Sequence, residues 1–136
     1  MAERLEGRSL EIVKEGKNYA VIAVPTDDGS IQTVVAWAHA DENGNVTVNS
    51  AEGRTWPTNL RNAGRATLTL MADGNPYEWV SIRGKVIEDT HEGADDDINM
   101  LAKKYLGEDE YPWRGPDEVR VKFTLEPEKI TYIKQG

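Results

Sequence analysis

The chain has 136 residues, with 24 acids against 16 Lys and Arg, a formal net charge of −8, 38% hydrophobic residues and no cysteine. That is the length and balance of one soluble globular domain; disulfides, thiolate metal sites and cysteine nucleophiles are excluded, and the acidity argues against general nucleic-acid binding. No apolar run approaches the roughly 18 residues of a membrane span, and the N-terminus lacks the apolar core of a signal peptide, so the expectation is a cytoplasmic protein.

Residues 2–15 predict a short helix, with Leu5, Ile12 and Val13 sharing a face and Gly16 as its stop. Residues 19–25 (YAVIAVP) predict a strand ended by proline and followed by an Asp-Asp-Gly turn. Residues 31–40 (IQTVVAWAHA) form a second strand, the Asn43-Gly44 pair a hairpin turn, and residues 46–49 (VTVN) a third strand. Residues 54–63 suit a short helix with Pro57 in its first turn, where the missing N–H costs nothing. Residues 65–72 (RATLTLMA) alternate as a strand does, and DGNP follows as a turn. Residues 77–89 predict a long strand with Tyr77, Trp79, Ser81 and Arg83 on one face and Gly84 marking a bulge or bend. Residues 92–106 are the strongest helix: Glu92, Asp95, Asp96 and Asp97 crowd its start, Lys103 and Lys104 its end, and Gly107 can cap it. Its apolar face is Ile98, Leu101, Ala102 and Tyr105. After a loop, residues 119–127 and 129–134 close the chain as two strands.

The total is six or seven strands with hairpin links and two or three short helices. Strands follow one another directly too often for a parallel sheet, so a mainly β antiparallel barrel or sandwich is expected, with residues 1–136 as one domain.

Catalytic parts are scarce. The two histidines, His39 and His91, sit at a strand end and in an acidic turn. Acids beside His91 are explained by the helix start that follows them. No Gly-x-Ser-x-Gly elbow, Walker loop or dinucleotide fingerprint occurs. Hydrolytic triads and metal sites have no visible parts, so an enzyme of this composition needs a bound cofactor for the hard step.

One stretch stands out. Residues 49–65 (NSAEGRTWPTNLRNAGR) carry Arg54, Arg61 and Arg65 against the single acid Glu52. A strand ends at Asn49, Ser50 and Thr55 offer hydroxyls, Gly53 allows a tight turn, and a helix begins near Thr55. Arginine, hydroxyls and a helix N-terminus make a competent phosphate site. The same spacing also fits a plain strand-to-helix connection with solvated arginines.

The segments VNSAEGRTWPTNLRNAGRATLTL, NPYEWVSIRGKVIED and YLGEDEYPWRGPDEVRVKF resemble the split β-barrel flavin and deazaflavin oxidoreductases, relatives of pyridoxamine 5'-phosphate oxidase, and within them the coenzyme F420 branch. The resemblance covers residues 19–133. It implies an FMN-binding split barrel that forms a homodimer with the cofactor at the subunit interface, and only the short chain supports dimerisation independently. It places the cofactor phosphate where Ser50, Arg54 and the helix start at Thr55 fall, and it counts Asn49, Ala51 and Trp56 among the cofactor-binding residues. It gives Asn59 a role in ordering the turn, and it lays Gln32, Thr33, Val34 and Val35 along the tricyclic ring. Three positions depart from the pattern. The F420 branch usually has basic residues where Trp56 and Thr58 stand, and often a proline where Val35 stands. Trp-x-x-Asn-Leu at residues 56–60 instead resembles the sister branch of deazaflavin-dependent nitroreductases. Trp56 then either stacks on cofactor or substrate or plugs the barrel.

The implied activity is hydride transfer between coenzyme F420 and a small planar organic substrate. No protein acid for the accompanying proton is identifiable. Tyr77, Trp79, Tyr111 and Trp113 can wall an apolar pocket or pack in a core or interface. Arg61, Arg65 and Lys85 can meet the acidic oligoglutamate tail of the cofactor. Two other readings stand beside this one: an FMN-dependent oxidoreductase on the same fold, and a non-redox binding protein for F420, haem or another planar ligand.

Overall fold

A computed structural model describes residues 2–135. The described chain runs α1 (Gly7–Lys14), β1 (Ala20–Pro25), β2 (Ile31–Ala36), β3 (Ala38–Ala40), β4 (Val46–Ala51), α2 (Thr55–Ala63), β5 (Arg65–Ala72), β6 (Asn75–Thr90), α3 (Ala94–Leu106) and β7 (Arg120–Lys134). All seven strands join one sheet in the order β2-β1-β5-β6-β7-β4-β3, and every neighbouring pair is antiparallel.

The topology carries a geometric constraint. β2 and β3 lie at opposite edges of the sheet, yet only Trp37 separates them in sequence. Ala36 pairs with Ala20 of β1, and Ala38 pairs with Val48 of β4. Successive Cα atoms are about 3.8 Å apart, so the two edges are held within roughly 8 Å of each other. The sheet must curl onto itself, which makes it a split barrel. The single strand expected over residues 31–40 is thus divided at Trp37, where the chain passes from one edge to the other.

Alternation supplies the interior. Ala20, Ile22 and Val24 of β1, Leu68 and Leu70 of β5, Val80 and Ile82 of β6, and Val121, Phe123 and Leu125 of β7 are buried in one cluster with Val46 and Val48 of β4. α1 adds Ile12 and Val13 to that cluster, and α2 adds Leu60. The two helices close opposite ends. α2 runs into the start of β5 through Gly64, whose φ of 74° is the left-handed cap that glycine adopts without strain. The segment after α1 ties to the far end of β5, where Asp73 N–H donates to Asn18 Oδ1 at 2.9 Å.

α3 lies outside the barrel on β4 and β7. β4 is therefore covered on both faces and buried along its whole length. The C-terminal turn of α3 fastens the seam. The Tyr105 hydroxyl donates to Asn18 O at 2.6 Å and accepts from Ala38 N–H at 3.2 Å. Lys104 Nζ donates to Val13 O at 2.8 Å and Ala38 O at 2.7 Å. Burial holds the Lys104 ammonium down to about 8.

Several boundaries differ from the sequence expectation for physical reasons. α1 starts at Gly7, not at residue 2; Leu5 is buried ahead of the helix, with its N–H donating to Gly44 O. The two closing strands are one strand, β7, which runs through Pro127. Proline survives there because β4 pairs only as far as Leu125, and the β6 partner shifts register at Arg83/Gly84, so no ladder needs the missing N–H. Gly84 sits at that shift, where a Cβ would lie 3.1 Å from Leu125 Cβ.

At the N-terminal side, Arg8 clamps α1 to the sheet. Its Nε and Nη2 donate to the two carboxylate oxygens of Glu78 at 2.8 and 3.0 Å, and the Tyr132 hydroxyl donates to the same group at 2.6 Å. These bonds, Arg8 first, hold the Glu78 carboxyl down to about 2. A depressed carboxyl contributes stability above its ordinary pKa and loses it as pH falls toward the depressed value. Thermal melts should therefore show Glu78→Gln several degrees below the wild type at pH 6. The gap should close as pH falls from about 4.5 to about 2; a gap that persists at pH 2 contradicts the clamp.

Candidate functional site

The stretch of residues 49–65 spans the end of β4, a short turn and α2. Arg54 is the N-cap of α2, with extended backbone and no side-chain cap, so the first N–H groups of the helix have no side-chain acceptor. Thr58 Oγ1 donates back to Arg54 O at 3.0 Å, and Thr55 is exposed. Asn59 Nδ2 donates to Gln32 Oε1 at 2.8 Å, which binds α2 to the edge strand β2. Two of the residues singled out in the sequence thus position each other.

Beside α2 lies a cavity of about 240 Å³. It is lined by Val35, Trp37, Trp56, Tyr111, Trp113 and Ile98, with three polar side chains, Asn49, Arg54 and Arg120. The aromatic rings brace one another. Trp37 stacks on Tyr105 at 5.3 Å and 6°, meets Tyr111 edge-on at 6.0 Å and 89°, and lies 6.2 Å from Trp113. Tyr111 and Trp113 also meet edge-on at 6.0 Å. Trp56 is half-buried: it packs against the barrel core and forms a cavity wall.

The polar side of the cavity is a buried chain of hydrogen bonds. Asn49 Nδ2 donates to Asp97 Oδ2 and to Ala94 O, both at 2.9 Å. Asn49 Oδ1 accepts from Arg120 Nε at 3.0 Å. Arg120 Nη1 donates to Glu118 Oε2 at 2.9 Å, and its guanidinium lies 4.9 Å from the centre of the Tyr111 ring. Glu118 also reaches Arg54, with Oε1 3.6 Å from Nη2. One arginine is therefore rigid and one is half-exposed, and a single carboxylate links them.

Of the candidate residues, the fold brings Val35, Asn49, Arg54 and Trp56 to this cavity. Alternation sends Ser50 to the opposite face of β4 from Asn49 and Ala51, where its hydroxyl is fully enclosed with no partner. Ser50, Ala51 and Thr55 do not line the cavity. On β2, Thr33 is exposed and Val34 packs toward the core. Of the four aromatic residues that could wall a pocket or pack in a core or interface, Tyr111 and Trp113 line the cavity, whereas Tyr77 and Trp79, on β6, do not. Arg61 is not available to a ligand tail, because Glu52 and Asp89 hold it at 2.9 and 2.6 Å. The acids at the start of α3 make no side-chain cap; Asp97 turns inward to Asn49 instead.

Four lining residues, Ala36, Trp37, Ile98 and Arg120, were not among the site candidates of the sequence, and two of them carry the argument. Arg120 alternates with valines in a strand and looks like any solvated arginine, though it is 3% exposed. Trp37 looked like an ordinary strand residue; its neighbours only become visible once the seam is known.

The lining contains no Asp, Glu, His or Lys. It can grip a flat, anion-bearing molecule between rings and guanidinium groups, and the hydroxyl among its side chains is that of Tyr111. Among the described residues, no group of three or more His, Asp or Glu is placed to hold a metal ion, and no helix is long and apolar enough to cross a membrane.

No protein family matches the chain by its sequence pattern, and no curated protein matches it by sequence. Solved structures do match its fold. A protein described as an F420 reductase superposes with a TM-score of 0.76 at 20% identity, over 93% of this chain and 98% of that one. A Listeria innocua protein provisionally named a pyridoxamine 5'-phosphate oxidase gives 0.70 at 14%, over 94% and 97%. An FMN-binding protein from Syntrophomonas wolfei gives 0.66 at 13%, over 93% and 87%. The chain has the split β-barrel fold of the pyridoxamine 5'-phosphate oxidase-like proteins.

Burial raises the Asp97 carboxyl above its ordinary range, against the opposing bond from Asn49. A raised carboxyl makes the fold most stable where it is protonated and costs stability as pH rises past its ordinary value. Asp97→Asn should therefore melt at or above the wild-type temperature at pH 7, with the difference vanishing near pH 3. A large loss at pH 7 would mean that the ionised carboxylate is what Asn49 requires.

Proposed function

We propose that this protein is a coenzyme F420-dependent oxidoreductase. It binds the deazaflavin at the aromatic cavity beside α2 and passes a hydride between it and a small planar organic substrate. The observation that carries the reading is the pairing of braced aromatic walls with Arg54 at an uncapped helix start, on a fold shared with a protein described as an F420 reductase. The residues present fit such a group. Trp37, Trp56 and Trp113 offer flat apolar surface, Arg54 offers a forked cation, and the first turn of α2 offers free N–H donors.

When bound, the deazaflavin supplies the hydride chemistry, which no lining side chain can. The protein contributes position and dryness. Arg120, fixed by Asn49 and Glu118, keeps the cavity floor rigid. Arg54, held only at 3.6 Å by Glu118, is the arginine free to turn to an anionic group. Edge strand β2 presents backbone groups along the cavity through Val35 and Ala36. Burying the reacting faces among Trp37, Tyr111 and Trp113 excludes water and holds the partners in a reactive approach. The lining holds no Asp, Glu, His or Lys to give the proton that accompanies the hydride, which leaves the Tyr111 hydroxyl or a solvent molecule admitted at the cavity mouth as its source.

The deciding experiment is a fluorescence titration of cofactor-free protein with coenzyme F420 and FMN in parallel, on wild type and Arg54→Ala. F420 should bind at micromolar concentration or tighter, with FMN weaker. Arg54→Ala should lose at least about tenfold in affinity, the worth of one charge-assisted hydrogen bond. Preference for FMN moves the protein to the flavin-dependent reading, which the fold shared with an FMN-binding protein also supports. Binding of neither removes the redox reading.

The working unit in this proposal is a homodimer. The outer face of the sheet leaves Val21, Val35, Met71 and Tyr77 exposed, Val35 at 69%, and Val21 pairs directly with Val35 across β1 and β2. An apolar patch on one sheet face is what a second copy covers. Sedimentation equilibrium should give twice the chain mass for the wild type, and Val21→Glu/Met71→Glu should give the monomer. A wild-type monomer contradicts the dimer.

A further inference from the structure

Arg54 and Arg120 line the aromatic cavity, and one acid that does not line it stands behind both. Glu118 lies two residues before Arg120, the first residue of β7. Its Oε2 accepts from Arg120 Nη1 at 2.9 Å, and its Oε1 is 3.6 Å from Arg54 Nη2. The two partners differ in freedom. Arg120 is buried and also bonded to Asn49. The Arg54 side chain is 48% exposed, against 12% for that of Glu118. The carboxylate is therefore the fixed point, and Arg54 is the arm that can leave it. The backbone keeps the two in reach: Glu52 N–H, in the turn that leads to Arg54, donates to Val119 O at 2.9 Å.

Two positive charges, of Arg54 and Arg120, thus face one negative charge, of Glu118. Glu52, two residues before Arg54, is engaged by Arg61 and His91. Asp97 is reached from Arg120 only through Asn49, and its ionised form lowers the positive balance further. At most one positive charge is left to a ligand. One negative charge on that ligand neutralises it. A second negative charge, half-buried and beside the Glu118 carboxylate, has no counter-charge. Its repulsion by Glu118 grows in proportion to the charge that the ligand carries.

We propose that Glu118 is a specificity-determining residue, which makes the anion seat at Arg54 select a singly charged phosphodiester over a phosphomonoester dianion. That Arg54 seats the anion rests on the functional reading above. Discrimination of this kind comes from a repulsive element placed against the wrong ligand. FMN ends in a phosphomonoester, with a charge of about −1.5 to −2 at neutral pH, whereas coenzyme F420 carries a phosphodiester with a single charge. Glu118 separates the two by charge, at a distance from their similar rings.

The test is a fluorescence titration at pH 7.5 of wild type and Glu118→Gln with three probes: FMN, its monomethyl phosphate ester and coenzyme F420. The ester keeps the ring of FMN and removes the second charge. In Glu118→Gln the affinity for FMN relative to the ester should rise at least about threefold, as expected when one carboxylate charge close to the phosphate is removed. The gain for F420 should follow the ester and not FMN. A merely structural role moves all three probes in parallel and leaves that ratio alone. An unchanged ratio, with F420 still bound, overturns the role of Glu118 and spares the functional reading. If the variant does not fold, the wild type decides: FMN bound more than about threefold tighter than its ester overturns the proposal, and any smaller preference upholds it. Failure of F420 to bind, with the FMN-to-ester ratio still set by Glu118, defeats the functional reading and leaves the charge selection standing. Binding of none of the three probes overturns both.

Discussion

Everything in this fold follows from a segment that belongs to two edges at once. β2 and β3 are consecutive, yet one pairs with β1 and the other with β4, at the two ends of a seven-stranded order. A flat sheet of seven strands at roughly 4.8 Å spacing would separate those edges by about 29 Å, which one residue cannot span. Curling is forced, and the residue at the junction is Trp37. Its ring fills the gap that backbone bonding leaves open, between the Tyr105 stack and the Tyr111 and Trp113 edges. The largest side chain in the alphabet stands where the barrel lacks a ladder.

α3 then has a defined task. Its apolar stripe covers the outer face of β4, its last turn binds Ala38, and its first turn brings Asp97 and Ala94 to Asn49. The cavity beside α2 is the space between this helix, the seam and the loop that returns through Tyr111 and Trp113. Its polarity is set by geometry: the buried Arg120 is bonded to Asn49 and Glu118 and lies over the Tyr111 face, whereas Arg54 is half-exposed and loosely paired. A buried ion pair this well bonded contributes more to order than to binding. The exposed arginine is the one with capacity to spare.

Much of the fold was legible. Alternation located β1, β5 and β6, helical spacing located α3 with all four apolar-face residues buried, and Gly84 marked a real register shift. These features are local, set by side-chain period and by turn chemistry. The site was less legible because its partners are distant in sequence. Nothing local distinguishes Arg120 from Lys122 on β7, although the first is buried against Asn49. Nothing local says that the acid at residue 97 turns inward while its two neighbours stay exposed. The positive stretch of residues 49–65 looked like one site, yet strand alternation sends Ser50 away from Asn49, and ion pairing withdraws Arg61. Composition shows which charges exist, and only the register shows which are already engaged.

The seam gives the barrel an uncommon thermodynamic property. Most barrels are closed by hydrogen bonds that no ligand touches. Here the closure at Trp37 combines aromatic contact with the hydrogen bonds of Tyr105 and Lys104, and the Trp37 ring is also a wall of the cavity. Occupancy and closure therefore share a free energy: whatever fills the cavity also seals the joint. A ligand present at a hundred times its dissociation constant adds about 2.7 kcal/mol to the folded state. That joint is held by the chain link at Trp37, by four rings, and by the hydrogen bonds of Tyr105 and Lys104 to Ala38.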